Sequence, residues 1–246
     1  MNISLNADED LHSLELNDLK IIQNKKGFRF GIDAVLLSDF AKCIKPNKKI
    51  MDLCSGNGII SLLLSAKLIN PSITAVEIQD DVAILASKNV LINNLTSIID
   101  VVCCDLNNLP QIYPSSSFDA IVCNPPYKKR NTGLENDLDT KTVARHEVYC
   151  NLDDVIRTSS FLLKNNGELY MVHRAERICD ILETLRKYHI EPKIIRFVQS
   201  YNHKAPTLLL VKAVKLAKPF LKIMDNLVIY NDDGSYTSEI NKIYNK

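Results

Sequence analysis

The four consecutive residues Asn124-Pro125-Pro126-Tyr127 carry more chemical information than any other stretch of this chain. Neither proline has a backbone N–H to donate and both have fixed φ, so together they hold their own carbonyls and the neighbouring side chains in a rigid loop. Tyr127 adds a flat aromatic face on which a splayed base can stack, a contact worth about 1 to 3 kcal/mol per base. Upstream, Asp52-Leu53-Cys54-Ser55-Gly56-Asn57-Gly58 holds two of the seven glycines in the chain. Glycines there allow a tight turn and close approach of a ligand to the backbone. Glu77, with Ile78 beside it, follows at the offset from which a carboxylate can accept both ribose hydroxyls of an adenosine ligand. Asp105, with Leu106 beside it, can meet the adenine amine. A nicotinamide dinucleotide and S-adenosylmethionine both satisfy the glycine turn and Glu77.

These residues need elements that bring them to one place. From residue 48 onward, strand-like apolar runs alternate with helical segments, the pattern of a parallel sheet wrapped by helices. Strands are predicted at Lys49–Leu53, Ile73–Ile78, Ile99–Cys104, Ala120–Cys123 and Glu168–His173. Helices are predicted at Ile59–Leu68, Val82–Asn93 and Asp153–Leu163, where apolar residues recur at three and four, and one earlier at Asp33–Cys43. The glycine turn, Glu77, Asp105 and Asn124 then all follow strand ends, and ligands of open α/β sheets bind at that carboxyl edge. Lys193–Phe197 and Leu208–Ala213, joined by a polar connector with Asn202, His203 and Pro206, suit an antiparallel hairpin at the sheet edge. The expected class is α/β, a mostly parallel seven-stranded sheet with an antiparallel C-terminal hairpin. That arrangement resembles the Rossmann-like fold of class I methyltransferases.

The tetrapeptide resembles that of S-adenosylmethionine-dependent amino-methyltransferases acting on planar nitrogens. An exocyclic amine is a poor nucleophile until its lone pair is released from the ring. The resemblance implies that the Asn124 side-chain oxygen and the Pro125 carbonyl accept hydrogen bonds from the target amine, favouring a pyramidal nitrogen as it attacks the methyl group. It extends over nearly the whole chain to the bacterial enzymes that N6-methylate adenine 37 of a valine tRNA. Ile21-Ile22-Gln23, the run Gly27 to Leu37, Ala144-Arg145-His146-Glu147 and the tail Asp232 to Thr237 carry it. It implies S-adenosylmethionine as cofactor, with the N-terminal segment lying over its methionine end through Phe30 and Asp33. Asp52, Ser55, Gly56, Gly58, Glu77, Ile78, Asp105, Leu106 and Asn124 complete the expected cofactor site. Asn124, Pro125, Pro126 and Tyr127 are the expected catalytic residues. Lys128, Lys129 and Arg130 are expected to meet phosphates beside the target base, with Arg145 and His146 on the substrate RNA. An anticodon loop fits such a site, because sequence-specific RNA recognition favours loops whose bases can be splayed. One departure stands at Cys54, where methyltransferases commonly have the first glycine of the loop.

At 246 residues, 46% hydrophobic and 24% charged, the chain has ordinary globular values. It is read as one domain, with residues 1–45 as an extension covering the cofactor site and 46–246 as the catalytic core. A net charge of +1 does not announce a nucleic-acid binder. The seven cysteines include no pair at the two-residue spacing of zinc or thioredoxin-like sites, and no metal is expected. The acidic, polar start lacks a signal peptide and no apolar run reaches membrane-spanning length, so a cytoplasmic protein is expected. The alternatives are a glutamine N5-methyltransferase acting on release factors, an rRNA guanine-N2 or DNA adenine-N6 methyltransferase, an NAD-dependent oxidoreductase and a non-catalytic RNA-binding module. The first carries a longer helical N-terminal domain, the oxidoreductase leaves Asn124 to Tyr127 unexplained, and the last has no use for a cofactor crevice.

Overall fold

The computed structural model describes residues 5–25, 30–126 and 151–244. Tyr127, Lys128, Lys129, Arg130, Arg145 and His146 lie outside them, as do residues 27–29 of the N-terminal motif.

The central strands are β3 (Lys49–Leu53), β4 (Ser72–Glu77), β5 (Ile99–Cys103), β6 (Phe118–Cys123) and β7 (Leu163–Arg174). They pair in parallel in the order β5-β4-β3-β6-β7. β9 (Leu208–Lys215) then runs antiparallel between β7 and β8 (Ile190–Gln199). The runs in β3, β4 and β6 are buried almost without a break, because helices cover both faces. Alternation sends neighbours to opposite sides: Ile50, Ile73 and Val122 join one core cluster with Leu36, Leu62 and Val90, while Met51, Val76 and Ile121 join the other with Val155, Ile181 and Leu185. The first set of helices is α1 (Ile32–Phe40), α2 (Ile59–Lys67) and α3 (Asp80–Ile92). A short α4 (Leu109–Ile112), α5 (Leu152–Leu162) and α6 (Ile178–Lys187) serve the second face, and α7 (Ser238–Ile243) returns to the first.

The expected fold class is observed, with differences in detail. Among the described residues the sheet has nine strands rather than seven, because β10 (Lys222–Ile223) and β11 (Leu227–Val228) lie in parallel along the outer edge of β8. Two residues are too few to show a period, yet they cover an edge that would otherwise present unpaired backbone. The strand expected at Glu168–His173 extends over Leu163–Arg174, and the helix expected at Asp33–Cys43 is Ile32–Phe40. An N-terminal hairpin of β1 (Glu9–Ser13) and β2 (Lys20–Asn24) was not expected.

That hairpin is tied to α3 by Lys88, which pairs with Glu9 at 2.7 Å, by Asn93, which bonds both backbone groups of Lys20, and by the buried Asn89. Asn89 of α3, fully buried, accepts from the Ile22 N–H at 2.6 Å and donates to the carbonyls of Ile22 at 3.1 Å and Asn57 at 2.9 Å. It therefore joins the N-terminal extension to the glycine-rich turn. Asn89→Ala leaves these backbone groups without their partner, at about 1 to 3 kcal/mol for a buried orphan. A loss of about 2 to 3 kcal/mol in urea unfolding is expected, and a loss under about half of that would show that water replaces the amide.

Candidate functional site

The register places the strand ends side by side. Leu53 pairs with Val76 on β4 and with Cys123 on β6, so the chain leaving β3 has Glu77 on one flank and Asn124 on the other. This is where the strand order reverses direction, the topological switch point at which open α/β sheets bind ligands. Cys104 N–H donates to the Glu77 carbonyl at 2.9 Å and carries the row on to Asp105.

The turn after β3 is built for close approach. Gly56 and Gly58 have φ of +57° and +83°. A Cβ on Gly58 would meet the Ala86 Cβ at an ordinary contact distance of 3.5 Å and one on Gly56 would meet nothing within 4 Å, so backbone conformation rather than space demands both glycines. Gly58 also caps α2, whose N-terminus opens on the turn. The Glu77 carboxylate, 5% exposed, accepts from the Gly56 N–H at 3.0 Å on Oε2. Its Oε1 accepts from the Ile78 and Gln79 N–H groups, each at 3.0 Å. Backbone donors thus fix this carboxylate at the strand end. Asp105 accepts from the Asn107 N–H at 2.8 Å and caps a short 3-10 turn, while Leu106 is buried in the second core cluster.

Asp52 is fully buried; its Oδ2 accepts from the Ser61 N–H at 3.1 Å and from the Ser61 hydroxyl at 2.7 Å. Burial pushes its carboxyl up to about 7 against the pull of the Ser61 hydrogen bonds, and the Glu77 charge adds to the rise. Asp52 Oδ1, Ser55 Oγ and Asn57 Nδ2 are buried and find no hydrogen-bond partner among the described residues. These orphaned polar atoms, one near the end of β3 and two in the turn after it, leave acceptors and an amide donor for a ligand's polar groups. With Glu77 beyond them, the set fits an adenosine ligand carrying an ammonium and a carboxylate.

Cys54 occupies the left-handed region at φ +58°, so it stands where the backbone favours glycine. That region costs a non-glycine residue roughly 1 to 2 kcal/mol. Cys54→Gly removes that cost but restores about 0.5 to 1 kcal/mol of chain entropy, so unfolding stability is expected to change by less than about 1 kcal/mol. Cys54→Val, branched at Cβ, is expected to lose about 1 to 2 kcal/mol in the same denaturation experiment. Equal stabilities for the two variants would show that the side chain, not the backbone, sets the local energy. The nearby thiols stay protonated: hydrogen bonding to Asp80 pushes Cys103 up to about 11, and burial raises Cys104. They are poor nucleophiles in that state.

Asn124 is half-buried directly after β6, Pro125 is buried and Pro126 half-buried, so the described part of the tetrapeptide sits at the switch point. The carboxyl edge therefore brings together Asp52, Ser55, Gly56, Gly58, Glu77, Ile78, Asp105, Leu106 and Asn124. Phe30 and Asp33 have other described contacts. The Phe30 N–H donates to Gln23 Oε1 at 3.3 Å, and its side chain lines a cavity of about 190 Å3 with Leu14, Leu16, Val35, Leu63 and Tyr244. Asp33 accepts from the Ala34 N–H at 2.9 Å, and its charge adds a little to the burial that raises the Tyr244 hydroxyl. Two residues that sequence reasoning passed over belong in the description. Asn89 is one. The other is His173, 3% exposed on β7, where pairing of Cys123 with Met171 sets Asn124 beside the Val172-His173 end. Burial holds its imidazole down at about 4, and Nδ1 accepts from the Arg174 N–H at 2.8 Å. A polar residue at the end of an apolar strand was the available signal.

Residues 31–193 match the methyltransferase small domain family. The chain is 28% identical over 221 residues to the tRNA1(Val) (adenine(37)-N6)-methyltransferase of Shewanella woodyi, covering 87% of this chain and 89% of the relative. It is 26% identical over 239 residues to the enzyme of the same name from Porphyromonas gingivalis, covering 94% and 91%. Among solved structures, a predicted O-methyltransferase from Agrobacterium tumefaciens has the same fold, with a TM-score of 0.69 and 19% identity over 87% of this chain and 95% of that one.

Proposed function

The chain belongs to the methyltransferase small domain family, and from that premise we propose that it N6-methylates adenine 37 in the anticodon loop of a valine tRNA. The observation that carries this reading is the placement of Asn124 and Pro125 at the switch point, one strand from the glycine turn and two from Glu77. The curated relatives spanning most of the chain carry that tRNA activity in their names. Bound S-adenosylmethionine supplies an electrophilic methyl group on a sulfonium.

The protein's own part is to bind, orient and polarise. Glu77 takes the ribose hydroxyls and Asp105 the adenine end, with Ile78 and Leu106 as apolar walls. Asp52, Ser55 and Asn57 supply the acceptors and donor for the amino-acid end, and residues 1–45 cover the site as part of the same domain, with Phe30 and Asp33 on the covering segment. The Asn124 side-chain oxygen and the Pro125 carbonyl accept the two N–H bonds of the target amine, and Pro126 keeps that loop rigid. Fixed acceptors lower the barrier as positive charge develops on nitrogen, and positioning two reactants contributes roughly 7 to 11 kcal/mol. Tyr127 stacks on the flipped base, while Lys128, Lys129, Arg130, Arg145 and His146 contact the RNA. No helix among the described residues is long and apolar enough to cross a membrane, and the cytosol, where tRNA is found, is the proposed compartment.

The test is transfer of labelled methyl from S-adenosylmethionine to total tRNA lacking this modification, followed by nucleoside analysis. Label in N6-methyladenosine of a valine tRNA is expected. Label in a release factor and none in tRNA would move the assignment to glutamine methylation.

A further inference from the structure

Five aromatic rings form a continuous row that the catalytic site leaves unexplained. Tyr244 stacks on Tyr236 at 5.6 Å between centroids, Tyr236 on Tyr230 at 5.4 Å, Tyr230 lies 5.5 Å from Tyr201, and Tyr201 stacks with His203 at 5.7 Å. The first three rings pack against the core under α7, and that packing accounts for them. Tyr201 and His203 belong to neither core cluster, and His203 is exposed. They stand on the connection between β8 and β9.

β8 runs parallel to β6, so this connection leaves the sheet at the same carboxyl edge as Asn124. The order β6-β7-β9-β8 sets it three strand spacings to the side, about 14 Å. At about 3.4 Å per stacked nucleotide, a single strand covers that offset in roughly four residues. The connection is also held in shape. The Lys204 N–H closes a turn on the Tyr201 carbonyl at 3.0 Å, and the buried Gln199 donates to the Asn202 carbonyl at 3.0 Å while accepting from Asn226 at 2.7 Å. Cations stand beside it. Lys204 is exposed and makes no ion pair among the described residues, and Arg174, exposed at the end of β7, pairs in register with Leu208.

We infer that the open end of this stack, His203 over Tyr201, is a platform on which an unpaired base of the substrate RNA stacks, a few nucleotides from the adenine that enters the Asn124 site. A pre-ordered aromatic face flanked by cations matches how single-stranded RNA is held, with bases on rings and phosphates on Lys and Arg. The ladder beneath holds the outer rings in place before RNA arrives, so little ordering cost falls on binding. This inference rests on RNA being the substrate, as proposed above.

Methyl transfer to tRNA by His203→Ala, with the Tyr201→Ala variant alongside, tests it against the wild-type protein. His203 is exposed, so its variant keeps the wild-type melting temperature. KM for tRNA is expected to rise roughly tenfold in His203→Ala, within the range of one lost base stack, while kcat and the Kd for S-adenosylmethionine hold. The chain has no tryptophan, so Tyr201→Trp gives a single indole whose fluorescence an unmodified anticodon stem-loop of valine tRNA is expected to quench. Methylation of tRNA with unchanged KM in both alanine variants overturns the platform and leaves the proposed activity standing. If the wild-type protein methylates no tRNA, the proposed activity fails, and the titration decides the platform separately: absent quenching overturns it too, and saturable quenching supports it.

Discussion

Asn124→Ala is expected to lower kcat for tRNA methylation by roughly 10²- to 10³-fold, the cost of removing one preorganised group from a charged transition state. The residue follows directly on β6, beside the turn from β3, so it stands at the first position of its loop, next to the sheet. Pro125, buried behind it, keeps the backbone conformation when the amide is lost. Affinity for S-adenosylmethionine, measured by calorimetry, is expected to change by no more than a few-fold, because the glycine turn, Glu77 and Asp105 are untouched. A loss of cofactor binding as large as the loss of kcat would sink the catalytic role and leave Asn124 a cofactor ligand alone. Asn124→Asp keeps an acceptor at the same place but adds a charge, so it separates the loss of an acceptor from the loss of shape.

Asp52→Asn is expected to stabilise the protein without bound cofactor at pH 8 and to flatten its stability profile between about pH 4 and 7. The folded carboxyl sits at about 7 against 3.8 for the free side chain. Over that interval the folded state therefore holds a proton that the unfolded chain has released. Stability is fully present below the unfolded value and falls as pH rises through the folded one, by on the order of 4 kcal/mol at about 1.4 kcal/mol per unit. The neutral amide keeps an oxygen for Ser61, removes the buried charge beside Glu77 and carries no such slope. Urea unfolding at pH 5 and at pH 8 measures the difference. A wild-type profile flat from pH 5 to 8 would mean that Asp52 is ionised at low cost throughout. Affinity for S-adenosylmethionine should weaken in the same variant, since the orphaned Oδ1 is the acceptor assigned to its ammonium group.

Much of the fold was legible along the chain because the central strands are buried on both faces. Short, mostly apolar runs such as Lys49–Leu53 and Ile73–Glu77 admit few other structures between helices of period 3.6. The strand ends then located the glycine turn, Glu77, Asp105 and Asn124 without coordinates, since a parallel sheet sends all its carboxyl ends to one edge. The elements that escaped reading are those whose stability is not local. β1 carries Glu9 and Asp10 and only β2 opposite it is well buried, so the hairpin rests on backbone hydrogen bonds and on distant partners in α3, Lys88 for Glu9 and Asn89 for Ile22, 67 residues away in sequence. β10 and β11 have two residues each and exist because β8 offers them an edge.

By itself the sequence determined the fold class and the site's chemical parts, since alternation, glycine spacing and the Asn-Pro-Pro run are local properties of the chain. Tertiary structure alone decided the environments. That Cys54 sits in a left-handed turn, that Asp52 keeps its proton to about pH 7, that Glu77 is clasped by the Gly56 N–H, and that Tyr201, Tyr230, Tyr236 and Tyr244 form one row are consequences of which distant segments meet. Burial, field and stacking depend on neighbours in space, and a linear pattern encodes those only through the packing it produces.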